Sequence, residues 1–360
     1  MKKVLFFTEI PSPFQYEFTN AISNLLEGKA ELKVVFEKAN KSFRTHWNTP
    51  NFGVVLDKQK KGKHFKSLLN EIDPDILVFT QYNSRYTFQG IRWANKNSKP
   101  YFLGPHEIIK PNDTYYLTRY AKHRYYKFMA RNSKGVATMG NQAVRDISKI
   151  YKGPVVNIPY SFDLTRLLSM TPPPISNNNE IIFLYSGRLY DFRNPILCIK
   201  AFAKVKVANP TKKLKLIISG TGPLEQECLD LIDQLKIKDN VTWMNDFKDW
   251  YEIHTLYSHA HVLLALQYYG TWGIIIQEAM AAGLGIISTN TIQAADNLII
   301  DDYNGYLVTL NERQIIERME KYINDPSLIN KHGKRSKEIV KNLDSSNAGL
   351  KFLELIEAEL

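Results

Sequence analysis

The chain has 360 residues and a formal net charge of +11, and its 44% hydrophobic and 23% charged residues are typical of a globular, soluble protein. Single hydrophobic cores rarely grow beyond about 250–300 residues, so the length predicts two domains. No apolar run approaches the roughly 18 residues of a membrane-spanning helix. The only cysteines, Cys198 and Cys228, lack metal-ligand spacing and indicate a reducing, cytoplasmic setting without a disulfide framework.

The positive charge is concentrated in the first half of the chain. Residues 1–165 contain 26 Lys and Arg against 13 Asp and Glu, whereas residues 166–360 contain 21 against 23. The first half is therefore expected to meet an anionic partner or to lie on an anionic surface.

The first residues, MKKVLFFTEIPSPF, imitate a signal peptide because two lysines precede an apolar stretch. That stretch is short and ends at Thr8-Glu9. It therefore predicts a first buried β-strand.

Short apolar strands alternate with longer helical patterns, which is typical of parallel sheets. The predicted strands are residues 4–7, 32–36, 76–79, 101–103, 135–138, 155–158, 181–185, 214–218, 241–243, 261–266 and 285–288. The stretch MTPPPISNNN (170–179) continues neither a helix nor a strand, and it coincides with the charge boundary. We expect an α/β protein with two domains, 1–168 and 181–342, whose parallel sheets face each other across a cleft. Residues 169–180 are expected to form the linker between them. A C-terminal helix in 343–360 is expected to pack back on the first domain.

A basic, aromatic stretch, TYYLTRYAKHRYYKFMARNSK (114–134), predicts a helix with Tyr and Phe on one side and Arg and Lys on the other. Further lysines of this domain are Lys58, Lys60, Lys61, Lys63 and Lys66. Such a helix can lie on an anionic membrane, grip a nucleic acid, or simply pack on its own sheet with a solvated charged face. The pattern leaves all three interpretations open.

The second domain begins with a strand that ends at Ser186-Gly187, followed by Arg188, a loop with Arg193, and a helix. Ligands of open parallel sheets bind outside the carboxyl ends of the strands. Two guanidinium groups there suit a diphosphate, although they could also be solvated loop residues. The next strand ends in a second tight glycine turn, 220–222, that leads into a helix.

Residues 270–287, GTWGIIIQEAMAAGLGII, form a glycine turn that runs directly into a helix, which Gly283 ends. Helix N-termini carry unpaired N–H groups and partial positive charge, so the turn suits a phosphate. Glu278 lies among apolar residues of this helix, where we expect it to meet a polar ligand. The plainer interpretation is a common structural turn with a capped or solvent-facing glutamate.

Taken together, these motifs resemble the C-terminal domain of family 4 retaining glycosyltransferases, which have the GT-B fold. The resemblance is carried by Gly187-Arg188 with a basic residue five positions later, and by GTGP (220–223), NVTW (240–243) and EAMA (278–281). It extends upstream to VNIPYSFD (156–163) and GPHE (104–107). It covers about residues 100–310 well and the first 100 in outline, and it indicates nucleotide-sugar binding without naming the sugar.

The resemblance also implies roles for individual residues. Arg188 and Arg193 hold the donor diphosphate, Glu278 binds the ribose, and His106 faces the transferred sugar, so that His106, Arg188 and Arg193 form the catalytic set. The implied donor site comprises Gly187, Gly220, Gly222, Trp243, Met244, Thr271, Trp272, Gly273, Ile274 and Glu278. Trp243 and Met244 flank the base, and backbone N–H groups of Trp272 to Ile274 face the phosphate or the sugar.

Two positions depart from the family pattern. The family usually has Glu-x7-Glu, but Gly270 stands eight positions before Glu278, and no carboxylate occurs between Gln267 and Gln277. Either Gln267 and Thr271 supply neutral hydrogen bonds instead, or the donor sugar is held differently, or the chain is a weak enzyme. At the first turn a frequent glycine pair is replaced by Pro11-Ser12-Pro13-Phe14. Ser12, Pro13 and Phe14 are therefore expected to border the acceptor and to change its recognition.

The sequence thus predicts a retaining glycosyltransferase that moves a sugar from a UDP- or GDP-sugar to a hydroxyl of a lipid-linked or cell-surface glycan. We expect polysaccharide biosynthesis at the cytoplasmic membrane face, without a permanently bound cofactor or a metal. Two alternatives remain open: a DNA-modifying glycosyltransferase acting on a hydroxylated base, and a non-catalytic nucleotide-sugar binder, the latter motivated by Gly270.

Overall fold

The computed structural model describes residues 1–39, 52–56, 63–106, 116–175, 180–247, 252, 254–270 and 272–360, except the side chains of 63, 106 and 116–119. Two compact units are present. The first contains Met1–Asp163 and Leu343–Leu360, and the second contains Leu164–Asn342.

A parallel sheet forms the centre of the first unit, and its described strands are in the order β3-β2-β1-β4-β5-β6-β7. They are β1 Lys2–Thr8, β2 Ala30–Phe36, β3 Val54–Val55, β4 Ile76–Phe79, β5 Tyr101–His106, β6 Gly135–Thr138 and β7 Val155–Asn157. The helices are α1 Pro13–Leu25, α2 Lys63–Ile72, α3 Arg85–Lys96, α4 Tyr116–Ala130 and α5 Asn141–Ser148. The buried strand predicted at the N-terminus is confirmed as β1.

Residues of β1 point alternately into two apolar layers, one on each face of the sheet. Leu5 and Phe7 pack into the layer that contains Phe65 and Phe79. Val4 and Phe6 pack into the opposite layer. Burial on both faces explains why β1 is an unbroken apolar run, as is usual in parallel sheets.

A second parallel sheet forms the centre of the second unit, in the order β10-β9-β8-β11-β12-β13 among the described residues. Its strands are β8 Ile181–Ser186, β9 Leu214–Ser219, β10 Val241–Trp243, β11 Val262–Ala265, β12 Gly285–Thr289 and β13 Tyr306–Val308. The helices are α6 Thr165–Leu168, α7 Pro195–Ala208, α8 Glu225–Gln234, α9 Ile274–Ala282, α10 Gln293–Leu298, α11 Glu312–Asn324 and α12 Ser327–Val340. This is the Rossmann order, and the strand order reverses between β8 and β11.

Two strands were not predicted from the sequence. β3 is only two residues long and exposed, and β13 is three residues long. β3 is too short to show a period of its own. β13 is as long as β7 and β10, which were predicted, so its length alone does not explain why it was missed. The other strands lie where they were predicted, with ends that differ by up to three residues.

The helix α4 differs from the predicted separation of aromatic and basic sides. Tyr126 and Met129 are buried, but Tyr120 and Phe128 are 52% and 59% exposed, beside the exposed Arg124. The expectation was wrong because the narrow buried stripe of this helix cannot hold all of its aromatic residues. Lys58, Lys60 and Lys61 lie outside the described residues.

The segment before β8 is fastened to the second unit. The Lys337 ammonium donates to the carbonyl oxygens of Leu168 (2.8 Å) and Met170 (2.5 Å). His261 Nδ1 accepts from the Ile182 N–H (3.0 Å), and its Nε2 lies 3.1 Å from the Pro173 carbonyl oxygen. Burial lowers the pKa of His261, so a neutral ring accepts at Nδ1 and donates at Nε2. The boundary between the units consequently falls at Asp163/Leu164.

The last helix, α13 (Ser345–Ile356), returns to the first unit and packs on α1. The ring of Phe352 lies 6.0 Å from the ring of Phe6 and 6.0 Å from that of Phe18, in edge-on contact with both. These rings belong to the layer that covers one face of the first sheet.

Candidate active site

Both predicted arginines lie in the loop between β8 and α7. Arg188 is exposed, its Nη2 donates to the Tyr190 hydroxyl (3.2 Å), and its guanidinium lies 4.9 Å from the centre of the Tyr190 ring. The Arg193 guanidinium lies 5.3 Å from the centre of the Phe192 ring. A Cβ at Gly187 would lie 3.4 Å from Arg193 Nη1, which is an ordinary van der Waals contact, so the second guanidinium lies against the strand end at this glycine.

Two glycines allow the loops after β8 and β9 to lie backbone against backbone. The Gly187 N–H donates to the Ser219 carbonyl (2.8 Å), and the Leu189 N–H donates to the Thr221 carbonyl (3.0 Å). A Cβ at Gly220, which has φ +151°, would lie 1.8 Å from the Gly187 oxygen, and one at Gly222 would lie 2.5 Å from the Leu189 oxygen. Side chains at either position would separate the two loops.

Asn245, which was not predicted from the sequence, holds the Gly220 turn in place. Its Oδ1 accepts from the Gly220 N–H (2.6 Å) and its Nδ2 donates to the Gly220 carbonyl (2.9 Å). Just before it, the Met244 N–H donates to the Ile218 carbonyl (2.9 Å), and Trp243 packs half-buried on the core. The signal for Asn245 was only its position directly after a predicted strand.

The loop after β11 is joined to the loop after β8. The Tyr268 N–H donates to the Phe192 carbonyl (2.9 Å), and the Tyr269 ring stacks on the Phe192 ring with centres 4.9 Å apart. These loops leave the two strands between which the strand order reverses, which is where open parallel sheets bind ligands. The structure therefore gathers the predicted glycine and arginine loops at one edge of the second sheet.

The same edge carries the start of α9. Gly273 is the cap residue, with φ +81°, and Gly283 ends the helix with φ +82°. A glycine cap has no side chain to satisfy the first N–H groups of the helix. The Ile276 N–H donates to the Gly273 carbonyl (3.0 Å), which leaves the N–H groups before it to face an anion. Trp272 is 1% exposed and its indole N–H donates to Gln277 Oε1 (2.5 Å), so its side chain anchors the turn before Ile274. Thr271 lies outside the described residues.

The carboxylate of Glu278 has partners inside the protein. It is 5% exposed, Oε2 accepts from the Tyr257 hydroxyl (2.5 Å), and Oε1 lies 3.6 Å from His254 Nε2. Tyr257 and His254 are themselves buried. This cluster accounts physically for an acid in an apolar helix, and the predicted contact of Glu278 with a ribose stays a prediction.

The candidate residues of the first unit are described in part. Ser12 caps α1 by accepting from the Gln15 N–H (3.3 Å), and Pro13 is the first residue of that helix. Phe14 packs edge-on against Tyr160, and with Pro105 both line a cavity of about 20 Å³. His106 is the last residue of β5, where it pairs with Thr138, but its side chain is not described.

Comparison with known proteins places this site in a family context. Residues 171–339 match the family model described as "Glycosyl transferases group 1". A protein from Anabaena solved in complex with UDP superposes with a TM-score of 0.78 at 16% identity, over 99% of this chain and 100% of that one. Sucrose-phosphate synthase from Thermosynechococcus elongatus gives 0.75 at 14% identity, over 99% of each chain. The chain has the GT-B fold.

The matches to curated sequences cover less of the chain. The GalNAc-alpha-(1->4)-GalNAc-alpha-(1->3)-diNAcBac-PP-undecaprenol alpha-1,4-N-acetyl-D-galactosaminyltransferase of Campylobacter jejuni is 26% identical over 182 residues, which is 50% of this chain and 49% of that protein. The chain thus spans about half the length of this curated relative. The GT-B fold predicted from the motifs is confirmed by the solved structures.

All predicted donor residues from Gly187 to Glu278 fall within the part of the GT-B chain that matches the family model. Within the described residues, no group of three or more His, Cys, Asp and Glu side chains is arranged to hold a metal ion. Every helix among the described residues is too short or too polar to cross a membrane.

Proposed function

We propose that this protein is a glycosyltransferase that takes a sugar from a nucleoside diphosphate. One observation carries the proposal: the loops after β8, β9 and β11 bring Arg188, Arg193 and the glycine-capped start of α9 to one edge of the second sheet. Two guanidinium groups and a helix N-terminus suit a diphosphate through charge and forked hydrogen bonds. The match of residues 171–339 to the glycosyl transferases group 1 model supports the same chemistry.

The proposed reaction is the retaining transfer of family 4, with catalysis that is mostly electrostatic. The bond between the sugar's anomeric carbon and the diphosphate breaks, and a bond from that carbon to an acceptor hydroxyl oxygen forms on the same face. The acceptor's proton passes to the departing phosphate. Arg188 and Arg193 stabilise the charge that develops on this leaving group. In this proposal Glu278 holds the ribose, Trp243 and Met244 flank the base, and His106 faces the sugar.

The proposed acceptor is a lipid-linked or cell-surface glycan. The name of the Campylobacter jejuni relative includes an undecaprenol diphosphate, which is the observation that favours a lipid-linked acceptor here. Ser12 to Phe14, at the start of α1, are the proposed acceptor contacts. We place the reaction at the inner face of the membrane.

Thermal unfolding with a panel of nucleotide sugars tests this function. We expect UDP or GDP, and one of their sugar conjugates, to raise the melting temperature, because a ligand that binds only the folded state stabilises it by RT ln(1 + [L]/Kd). UMP and free glucose serve as controls that lack the diphosphate. A chain that responds to no nucleotide diphosphate is not a glycosyltransferase of this kind.

Membrane association is the second part of the proposal, and α4 with α3 supports it. Residues 114–145 contain seven Lys and Arg and no Asp or Glu. Phe128 stacks on Phe88 of α3 with ring centres 6.3 Å apart, and the Arg92 guanidinium lies 5.7 Å from the Phe88 ring centre. Exposed aromatic rings among cations suit the interface of an anionic bilayer, where each basic residue contributes about 1 kcal/mol.

A vesicle sedimentation assay tests this surface. We expect binding to vesicles with anionic lipid, weaker binding to zwitterionic vesicles, and a loss of several fold on Phe128→Ser. Leu350→Ser is the matched control, because Leu350 is also an exposed apolar residue, on α13. Equal binding of the two variants contradicts the assignment, and tight, salt-sensitive binding to duplex DNA instead favours the nucleic-acid alternative.

A further inference from the structure

Gln267 leaves β11 in the same way as Arg188 leaves β8, two residues beyond the end of the strand. Its backbone is held on both sides by threonines. Its N–H donates to Thr289 Oγ1 (3.1 Å), and its carbonyl accepts from Thr289 Oγ1 (2.9 Å) and Thr291 Oγ1 (2.5 Å). The residue is therefore fixed at the point where the strand order reverses, without any help from its side chain.

The side chain of Gln267 is largely covered by protein, yet it makes no hydrogen bond to another described residue. The residue is 6% exposed, and among the described residues no hydrogen bond reaches its amide nitrogen or oxygen. Neither amide atom belongs to the buried side-chain atoms without a partner, so solvent reaches both of them. An amide that is fixed at the strand-order reversal, unpaired among the described residues and open to solvent is placed to bond a ligand that enters there.

Gly270 makes room for this amide. A Cβ at position 270 would lie 3.3 Å from Gln267 Oε1 and 3.3 Å from Ile292 Cγ1, so even one carbon would crowd both neighbours. The backbone at 270 is held by its N–H, which donates to the Thr291 carbonyl (3.1 Å), and by a parallel bridge to Ile292. Position 270 thus contributes backbone only, and the neutral amide of Gln267 occupies the adjacent space.

We infer that Gln267 is a specificity-determining residue that hydrogen-bonds a hydroxyl group of the donor's sugar. An amide presents a donor and an acceptor on one edge, which matches a hydroxyl. Being neutral, it does not repel a diphosphate held by Arg188 at the neighbouring strand end. A site built to bond a hydroxyl strongly rejects an analogue that lacks it. The inference rests on the proposed function and adds to it the group that reads the sugar.

The test compares binding of UDP with binding of the nucleotide sugar that stabilises the protein most, for instance UDP-glucose. Gln267→Ala is expected to weaken the nucleotide sugar about tenfold and to leave UDP unchanged, because one hydrogen bond to the sugar is lost. Gln226→Ala is the matched control, since Gln226 is exposed on α8 and bonds only Asp230 among the described residues. Calorimetric titration gives both affinities for each variant.

A second variant tests the role of Gly270. Gly270→Ala is expected to weaken the nucleotide sugar several fold by displacing Oε1, and to add little to Gln267→Ala in the double variant, because both changes remove one contact. Deoxy analogues of the sugar identify the hydroxyl: wild type discriminates against the correct one, and Gln267→Ala does not.

The outcomes separate the inference from the proposed function. If Gln267→Ala binds UDP and the nucleotide sugar as wild type does, or loses both equally, Gln267 does not read the sugar and the inference is wrong. If wild type binds neither UDP nor any nucleotide sugar, the proposed function fails and the inference fails with it.

Discussion

Replacement of Arg188 by Ala is expected to lower kcat/KM for sugar transfer about 100-fold or more and to weaken binding of the nucleotide diphosphate. Arg188 follows the end of β8 by two residues, at the edge of the second sheet where α9 also begins, and it is the exposed cation of that loop. Removing one preorganised group that stabilises developing charge typically costs 10²–10³ in rate. Transfer of labelled sugar and calorimetric titration of the donor measure the two effects separately.

Two further variants make the Arg188 result specific. Arg188→Lys keeps the positive charge but loses the forked pair of N–H donors of the guanidinium. We therefore expect a transfer rate between those of wild type and Arg188→Ala. Arg313→Ala is the matched control, because Arg313 is an exposed arginine of the same unit that pairs with Glu317 one turn along α11. Unchanged transfer and unchanged donor binding in Arg188→Ala would contradict the assignment of the site.

Gly220→Ala is expected to be the most destabilising single change near the site. The new Cβ would lie 1.8 Å from the Gly187 carbonyl oxygen, and φ at this position is +151°. Backbone strain and forced separation of the loops each cost about 1–3 kcal/mol, so we expect a loss of about 3 kcal/mol. For a unit of this size that lowers Tm by roughly 6–12 °C, which scanning calorimetry detects.

The control for Gly220 separates the collision from the backbone conformation. Gly28 has φ +75° and open space where a Cβ would be placed. Gly28→Ala should therefore cost only the conformational strain, about 1 kcal/mol. If the two variants unfold at the same temperature, the close approach of the loops after β8 and β9 is not what requires Gly220. Donor binding should weaken in Gly220→Ala alone.

The sequence predicted the repeating strand–helix pattern because buried parallel strands are continuous apolar runs that end at small polar residues or glycines. β1 and β8 illustrate this, since each is an apolar run that ends at a small polar residue. The Gly187, Gly220 and Gly273 turns were likewise visible as glycines directly after strands or before a helix. Short edge strands such as Val54–Val55 carry too few residues for any period to emerge.

Features that depend on contacts between residues distant in the chain could not be predicted from the sequence. The Tyr257 hydroxyl meets Glu278 from 21 residues away, and Asn245 reaches Gly220 across 25 residues. No rule of sequence spacing predicts contacts between residues this far apart in the chain. The exposed rings of α4 were misjudged for a related reason: helical periodicity gives the faces of a helix, but the width of the buried stripe is set by what packs against it.

The fastening of residues 168–173 to the second unit bears on how the chain can be divided. A fragment that starts at β8, after the proline-rich stretch, would lose the carbonyl oxygens of Leu168, Met170 and Pro173. Burial already lowers the pKa of Lys337. In such a fragment its partly buried ammonium would lose both carbonyl acceptors, Leu168 and Met170. The second unit accordingly begins at Leu164, before the proline-rich stretch, and a fragment that keeps these contacts has to include that stretch.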